Sequence, residues 1–156
     1  MNPQDYHDII FPVALSLVPE GWDSPEARAQ LLAIALQESQ FKHRRQIGGP
    51  ALGFYQFELI GVRGTFLHHR TGPDTQAIAK VLGYETAERT HLALEDNDIL
   101  ATVLARYNIY NYPAALPVEG DAEEGWRQYL RRWRPGRPRQ KRWESNFREA
   151  WRIVNS

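Results

Sequence analysis

Glu38 is the carboxylate in this chain that is best placed for acid–base chemistry. Leu31, Ile34 and Ala35 precede it by seven, four and three residues, which is the spacing of one helical face. The pattern predicts that Glu38 faces the core or a cleft near the end of its helix. Burial disfavours the charged form of a carboxylate and raises its pKa, so such a glutamic acid can still donate a proton near neutral pH.

Helical periodicity predicts the elements that must position this carboxylate. Ser24 is a helix cap and Pro25 suits the first helical position, so a helix is expected from there to about Ser39. The glycines and proline of residues 48–50 then predict a turn. Residues 53–58 alternate loosely between apolar and polar types, which indicates a short helix or a strand-like turn.

The remaining segments also have helical spacing and are separated by glycine or proline. The first helix is expected from Pro3, with a bend or early end at Pro12 and with one face made of Tyr6, Ile9, Ile10, Val13 and Leu17. Two further helices are expected from Val62 to His69 and from Asp74 to Leu82. The last three are expected from a cap at Asp96 to Pro113, from a cap at Asp121 to Arg134, and through Trp143 to Val154. No internal repeat interrupts this pattern. We therefore predict a mainly α protein with a single domain over residues 1–156, built of several short helices.

Composition excludes several classes of site. With 156 residues, 42% hydrophobic and 24% charged, the chain has the profile of an ordinary globular protein that can bury a core. It has no cysteine, which excludes disulfides and thiolate metal sites. His68 and His69 are adjacent, and neighbours on a helix point apart, so no metal site is expected. We predict no cofactor.

The charge distribution is uneven although the net charge is zero. Ten Lys or Arg and two Glu lie between Arg127 and Arg152, so this segment carries +8 and the rest of the chain −8. One interpretation is a solvated pair of basic helices over about residues 121–156. The other is a face that attracts a polyanion, such as an anionic cell surface or nucleic acid phosphates.

Three short motifs in order suggest a family. Residues 37–41 (Gln-Glu-Ser-Gln-Phe), 53–56 (Gly-Phe-Tyr-Gln) and 105–108 (Ala-Arg-Tyr-Asn) resemble the motifs of the lysozyme-like superfamily. Soluble lytic transglycosylases of this superfamily typically have Glu-Ser-x-Phe, Gly-Leu-Met-Gln and Ala-Tyr-Asn-Gly. The resemblance covers about residues 31–108 and implies a lysozyme-like helical domain around a substrate cleft.

The resemblance also implies an activity, namely cleavage of the β-1,4 bond between N-acetylmuramic acid and N-acetylglucosamine in peptidoglycan. Glu38 would be the general acid and base that protonates the glycosidic oxygen. The remaining implied site residues would bind the substrate or support that binding. In the resemblance Tyr107 brings its hydroxyl to the carboxyl of Glu38, Ser39 and Gln56 position the sugar, Tyr55 offers an aromatic surface for stacking, and Asn108 holds the local backbone.

Glu58 decides which reaction the resemblance favours. A transglycosylase uses one carboxylic acid, and the substrate closes on itself to form a 1,6-anhydro sugar. Goose-type lysozymes similarly carry a carboxylate two residues after the glutamine of their second motif, where Glu58 lies here. Glu58 is therefore a candidate second catalytic carboxylate that activates water. An ordinary exposed glutamate is the alternative.

A second function from another class is a non-catalytic module that binds cell wall or nucleic acid on a lysozyme-like scaffold. Asp5 and Asp8 precede the first apolar stretch, so we expect no signal peptide and synthesis in the cytoplasm. A wall enzyme would then act after lysis, dedicated export or virion delivery, as a phage endolysin, a virion lysin or a secreted effector. We expect a monomer whose partner is the peptidoglycan glycan strand, with no membrane span.

Overall fold

The computed structural model describes all 156 residues. It is a single mainly helical domain, 60% helix with no strand, which confirms the predicted fold class. A π-helical turn over Tyr6–Ile10 joins the first two helices into one continuous segment. In chain order the helices are α1 (Pro3–Asp5), α2 (Phe11–Ser16), α3 (Pro25–Ser39), α4 (Leu59–Phe66), α5 (Gly72–Val81), α6 (Ala87–Ala93), α7 (Asp98–Tyr110), α8 (Ala122–Trp133) and α9 (Gln140–Val154).

Most of the predicted helix starts are confirmed by their caps. The side chains of Asn2, Ser24 and Asp121 each accept a hydrogen bond from a backbone N–H of the first helical turn. The cap of α7 is Asn97 rather than the predicted Asp96. Helix α6 was not predicted, because its seven residues have no clear apolar period, although Thr86 caps it.

The N-terminal segment differs from the predicted amphipathic helix. Ile9 and Val13 are 63% and 48% exposed, whereas Tyr6 and Phe11 are fully buried. The π turn adds a residue to the helical turn before Pro12, and this rotates the buried face of all later residues. The wider turn accommodates the missing N–H of Pro12, so the segment continues to Ser16 instead of ending early.

Helix α3 lies at the centre of the core. It packs against α9 on one side and α7 on another, and every residue from Leu31 to Ala35 is buried. A helix that is apolar on all sides belongs in the interior, so its burial is wider than the single stripe predicted from sequence. Its two ends are less buried, and Glu38 lies at the C-terminal end.

The segment between α4 and α5 forms a turn. Helix α4 ends at Phe66, earlier than predicted, so His68 and His69 lie outside it. Their rings stack at a centroid distance of 4.6 Å instead of pointing apart. No helix of this protein is both long enough and apolar enough to cross a membrane.

Candidate active site

Glu38 lies in the last turn of α3 with its side chain largely removed from solvent. Its Oε1 accepts a hydrogen bond from the hydroxyl of Tyr129 at 2.5 Å. Burial raises the pKa of Glu38 to about 7, the Tyr129 hydrogen bond opposes this rise, and the negative charge of Glu58 adds to it. The carboxyl of Glu38 therefore exchanges its proton close to neutral pH, as predicted from its place on the apolar stripe.

An aromatic wall packs around the tyrosine that bonds this carboxyl. Tyr129 lies on α8, and its ring stacks on Trp143 of α9 at 5.2 Å with an interplanar angle of 13°. Trp126 and Trp133, three residues before and four residues after Tyr129, contact the same ring at 5.4 and 6.4 Å. These positions share one helical face. Burial outweighs the Tyr129 hydrogen bond in setting the pKa of Glu38.

Glu58, which follows the second motif by two residues, faces the same site. It occupies the N-cap position of α4, its side chain is exposed, and it makes no hydrogen bond or ion pair. Its charge is near enough to raise the pKa of Glu38. The structure thus brings together the two predicted carboxylates in different environments, one buried among aromatic rings and one in water.

The turn that precedes Glu58 is a tight hairpin. The backbones of Leu52 and Phe57 exchange two hydrogen bonds of 3.0 and 3.1 Å. Gln56 has a left-handed backbone with φ of 50°, and its side-chain amide donates to the carbonyl of Gly53 at 2.7 Å. Gln56 is therefore held by the turn that it shapes. This intra-turn bond replaces the sugar contact implied for its amide by the resemblance.

Ser39 fastens that hairpin to the helix of Glu38. Its buried hydroxyl lies 2.7 Å from the carbonyl of Phe54 and 3.1 Å from that of Ala35, and it accepts from the N–H of Phe41 at 3.2 Å. The single O–H donor of Ser39 is committed to backbone carbonyls, and at 3% exposure the hydroxyl is closed to a sugar. The expected sugar-positioning role of Ser39 is wrong, and its position indicates a structural role instead.

Tyr55 does not offer an aromatic surface either. Tyr55 is 0% and Phe54 2% exposed, so both rings belong to the core. Tyr55 reaches the site only through its backbone carbonyl, which accepts from the indole N–H of Trp133 at 2.9 Å. The prediction of sugar stacking on Tyr55 is therefore wrong. The two aromatic residues that replace the usual Leu-Met are accommodated by packing inside.

Tyr107 and Asn108 lie on α7, and neither side chain bonds the carboxyl of Glu38. The ring of Tyr107 packs edge-on against Trp22 at 5.0 Å, and the hydroxyl that bonds Glu38 belongs to Tyr129. Asn108 is buried, and its side-chain oxygen accepts from the guanidinium of Arg132 at 2.8 Å. Asn108 thus ties α7 to α8, as the backbone-holding role predicted, and it presents no sugar-binding surface.

Left-handed backbone conformations cluster around the site. Gln40 and Phe41, which follow Glu38 and Ser39, have φ of 53° and 54°. Such conformations are costly for residues other than glycine and persist where the surrounding structure holds them. Here Phe41 is buried and its N–H is bonded to Ser39. The backbone at the end of α3 is therefore held in one conformation, and this orients the side chain of Glu38.

Tyr129 is the site residue that sequence reasoning missed. It lies in the helix predicted from the cap at Asp121, on a face that it shares with Trp126, Leu130 and Trp133. The family motifs end at Asn108, and a buried tyrosine on such a stripe is most often plain core. The signal available was a hydroxyl on an otherwise apolar face, since a buried hydroxyl needs a partner.

The basic segment runs beside Glu38. The amide of Gln37 donates to the carbonyl of Arg139 at 3.0 Å and its oxygen accepts from Asn146 at 2.8 Å, so the turn between α8 and α9 is held next to the site. Six cations on and around this turn are exposed and form no ion pair: Arg131, Arg134, Arg137, Arg139, Lys141 and Arg142. We call these six residues the basic strip.

Other features of the surface do not compete with this site. A cavity of about 930 Å³ lies between the N-terminal helix and α6, and neither Glu38 nor Glu58 lines it. No group of three or more histidine and carboxylate side chains is placed to hold a metal ion. The carboxyl pair is the stronger candidate for chemistry, because it combines a shifted pKa with an apolar wall and a second charge.

Comparison of the chain with models of known protein families, with curated proteins and with solved structures finds no match. The site thus defines a chemical class by itself: a single buried carboxylic acid that titrates near neutral pH, facing an exposed carboxylate.

Proposed function

We propose that this protein cleaves peptidoglycan at the β-1,4 bond between N-acetylmuramic acid and N-acetylglucosamine, with Glu38 as general acid and base. The observation that carries the proposal is the Glu38 carboxyl, buried against an aromatic wall with a pKa of about 7. The three ordered motifs that resemble lysozyme-like enzymes supply the substrate class.

The chemistry follows from the two protonation states of Glu38. Its protonated form donates to the glycosidic oxygen as the bond breaks toward an oxocarbenium-like transition state. The resulting carboxylate is stabilised by the Tyr129 hydroxyl at 2.5 Å. It then accepts a proton when the substrate's own hydroxyl is the nucleophile, whereas Glu58 takes the proton of water if Glu58 activates it. An acid with a pKa near the working pH serves both steps.

The nucleophile determines the product. If Glu58 activates water from its exposed position, the product is a reducing sugar. If the substrate's own hydroxyl closes the ring, Glu58 is dispensable and the product is a 1,6-anhydro sugar. Mass spectrometry of muropeptides released from purified peptidoglycan distinguishes the two products directly.

The main test is the variant Glu38→Gln, with Glu123→Gln as a matched control because Glu123 is exposed on α8. We expect Glu38→Gln to abolish the clearing of peptidoglycan suspensions, with a loss of at least about 100-fold typical of a general acid. Circular dichroism and thermal unfolding check that both variants fold. Full clearing by a folded Glu38→Gln protein would refute the mechanism.

The basic strip supports a second candidate, a non-catalytic module for cell wall or nucleic acid. Its six cations form no ion pair and are free to bind a polyanion. Such a module has no use for a buried acid. It would sediment with peptidoglycan, or shift nucleic acid, equally well with Glu38→Gln, and it would release no muropeptide.

A further inference from the structure

A small pocket lies at the C-terminal end of α8. Its volume is about 240 Å³, and it is lined by Arg131, Arg132 and Arg134 together with the loop of residues 111–114. Pockets for whole small molecules usually measure about 300 Å³ or more. This pocket therefore suits one small chemical group rather than a complete ligand.

The three arginines of the pocket have no anionic partner. Arg131 and Arg134 belong to the basic strip, and Arg132 donates only to the neutral backbone and side-chain oxygens of Asn108, at 2.8 to 3.2 Å. No carboxylate lines the pocket. Three unpaired guanidinium groups around one cavity repel each other, and an anion bound between them relieves that repulsion.

The surroundings strengthen this charge imbalance. Burial lowers the pKa of Arg132, and the charge of Arg134 lowers it further. His68 lies close by, and its pKa is lowered by burial and by the charges of His69, Arg132 and Arg70. All the charged groups that act on this corner of the molecule are therefore cationic or become so on protonation.

Asn111 lines the pocket and carries a buried amide. Its side chain is 5% exposed, and its oxygen accepts from the hydroxyl of Thr71 at 2.7 Å. Its amide nitrogen has no hydrogen-bond partner. A buried amide nitrogen without a partner is uncommon and marks a place where an acceptor is missing.

We propose that Arg131, Arg132 and Arg134 form an oxyanion-binding site that accepts a carboxylate or phosphate group of the cell-wall polymer. The pocket and Tyr129 share α8, and Arg132 lies three residues beyond Tyr129, or about 4.5 Å along the helix axis. An anionic substituent on a sugar next to the cleaved bond would reach it from the Glu38 site. The oxyanion site follows from the pocket alone, whereas its assignment to peptidoglycan rests on the proposed function.

The first experiment measures oxyanion binding without turnover. Inorganic phosphate and acetate are titrated at constant ionic strength into the wild-type protein, into Arg131→Gln/Arg134→Gln and into Arg148→Gln/Arg152→Gln, with the arginine side-chain N–H signals followed by NMR. The last variant is the control, because it removes the same charge from residues that are paired with Glu144 and Glu149. Arg132 is left unchanged because it holds Asn108.

We expect saturable binding that moves the Arg132 signal and weakens at least about tenfold in Arg131→Gln/Arg134→Gln but not in the control. Equal weakening in the two double variants would mean general charge attraction and would overturn the proposal. Absence of saturable binding of either anion to the folded wild-type protein would also overturn it.

The second experiment identifies the source of the oxyanion in a Glu38→Gln background, where substrate is not consumed. Competition by muropeptides that carry stem-peptide carboxylates, but not by peptide-free glycan, assigns the pocket to the substrate. Competition only by a phosphate-bearing wall polymer assigns it to phosphate. If the protein binds oxyanions here but never releases muropeptides, the proposed function is refuted while the oxyanion-binding site still stands.

Discussion

The hydroxyl of Tyr129 bonds the carboxyl of Glu38 across 91 residues of sequence. This contact joins the last turn of α3, where the first motif lies, to α8, which lies beyond all three motifs. It also opposes the effect of burial, because a hydrogen bond to the charged carboxylate lowers the pKa that desolvation raises. The proton affinity of Glu38 is thus a balance between the hydroxyl of Tyr129 and the burial of the carboxyl.

Removal of the Tyr129 hydroxyl should raise the pKa of Glu38. If Glu38 is the acid, kcat/KM falls as pH rises through about 7. In Tyr129→Phe the carboxylate loses its donor while its apolar surroundings remain, so we expect this alkaline limb to move to higher pH. The measurement is the pH profile of kcat/KM on soluble peptidoglycan fragments.

Tyr107→Phe is the matched control for that profile, because Tyr107 is also a tyrosine near α8 but donates no hydrogen bond to Glu38. We expect its alkaline limb to stay at the wild-type position. A shift in Tyr107→Phe equal to that in Tyr129→Phe would show that Tyr107 is the partner of Glu38 during catalysis, as the family resemblance implies.

Neutralising Glu58 should have the opposite effect on the same pH profile. The negative charge of Glu58 raises the pKa of Glu38, so Glu58→Gln should move the alkaline limb to lower pH. Its effect on the product is a separate readout. If Glu58 activates water, kcat for hydrolysis falls by about 100-fold or more, and unchanged hydrolysis would remove Glu58 from the mechanism.

Glu38 should also make the stability of the fold depend on pH. Its pKa rises from an ordinary 4.5 to about 7 on folding, so the folded state holds the proton more tightly than the unfolded state. The resulting stabilisation is full below about pH 4.5 and is lost as pH rises through 7, with a total of about 3 kcal/mol.

Urea unfolding of wild type and Glu38→Gln at pH 4 and pH 8 tests this linkage. The variant cannot titrate at this position. We therefore expect the difference in the free energy of unfolding, wild type minus variant, to fall by about 3 kcal/mol from pH 4 to pH 8. A difference that does not change with pH would mean that Glu38 keeps its ordinary pKa in the folded protein.

The hairpin that carries Gln56 and leads to Glu58 should be intolerant of a side chain at Gly53. Gly53 has φ of +77°, and a Cβ there would lie 2.4 Å from the backbone carbonyl oxygen of Leu94. Gly48 has a similar φ of +74° with nothing within 4 Å. We expect Gly53→Ala to cost about 2 to 4 kcal/mol in urea unfolding and Gly48→Ala about 1 kcal/mol.

The comparison separates backbone conformation from packing, because only the steric contact differs between the two glycines. Equal losses would show that the approach of Leu94 to the hairpin relaxes without cost. A larger loss for Gly48→Ala would contradict the hairpin geometry itself.

Local signals predicted the elements well where a cap or a breaker acts within a few residues. Ser24 with Pro25, and Asp121, marked the starts of α3 and α8, and Gly83 the end of α5, because each acts on its own helical turn. The face of the first helix was wrong because the π turn at Tyr6–Ile10 depends on tertiary packing and leaves no period in the sequence.

The sequence by itself determined that Glu38 would be an acid in an apolar setting, since its position on the face of α3 follows from helical spacing. It also placed Glu58 at the end of a segment interpreted as a short helix or a strand-like turn. Only the tertiary structure decided what surrounds them. Tyr129 rather than Tyr107 bonds Glu38, and Tyr55 is buried with its ring against Tyr6, because these contacts join segments far apart in sequence and follow no local pattern.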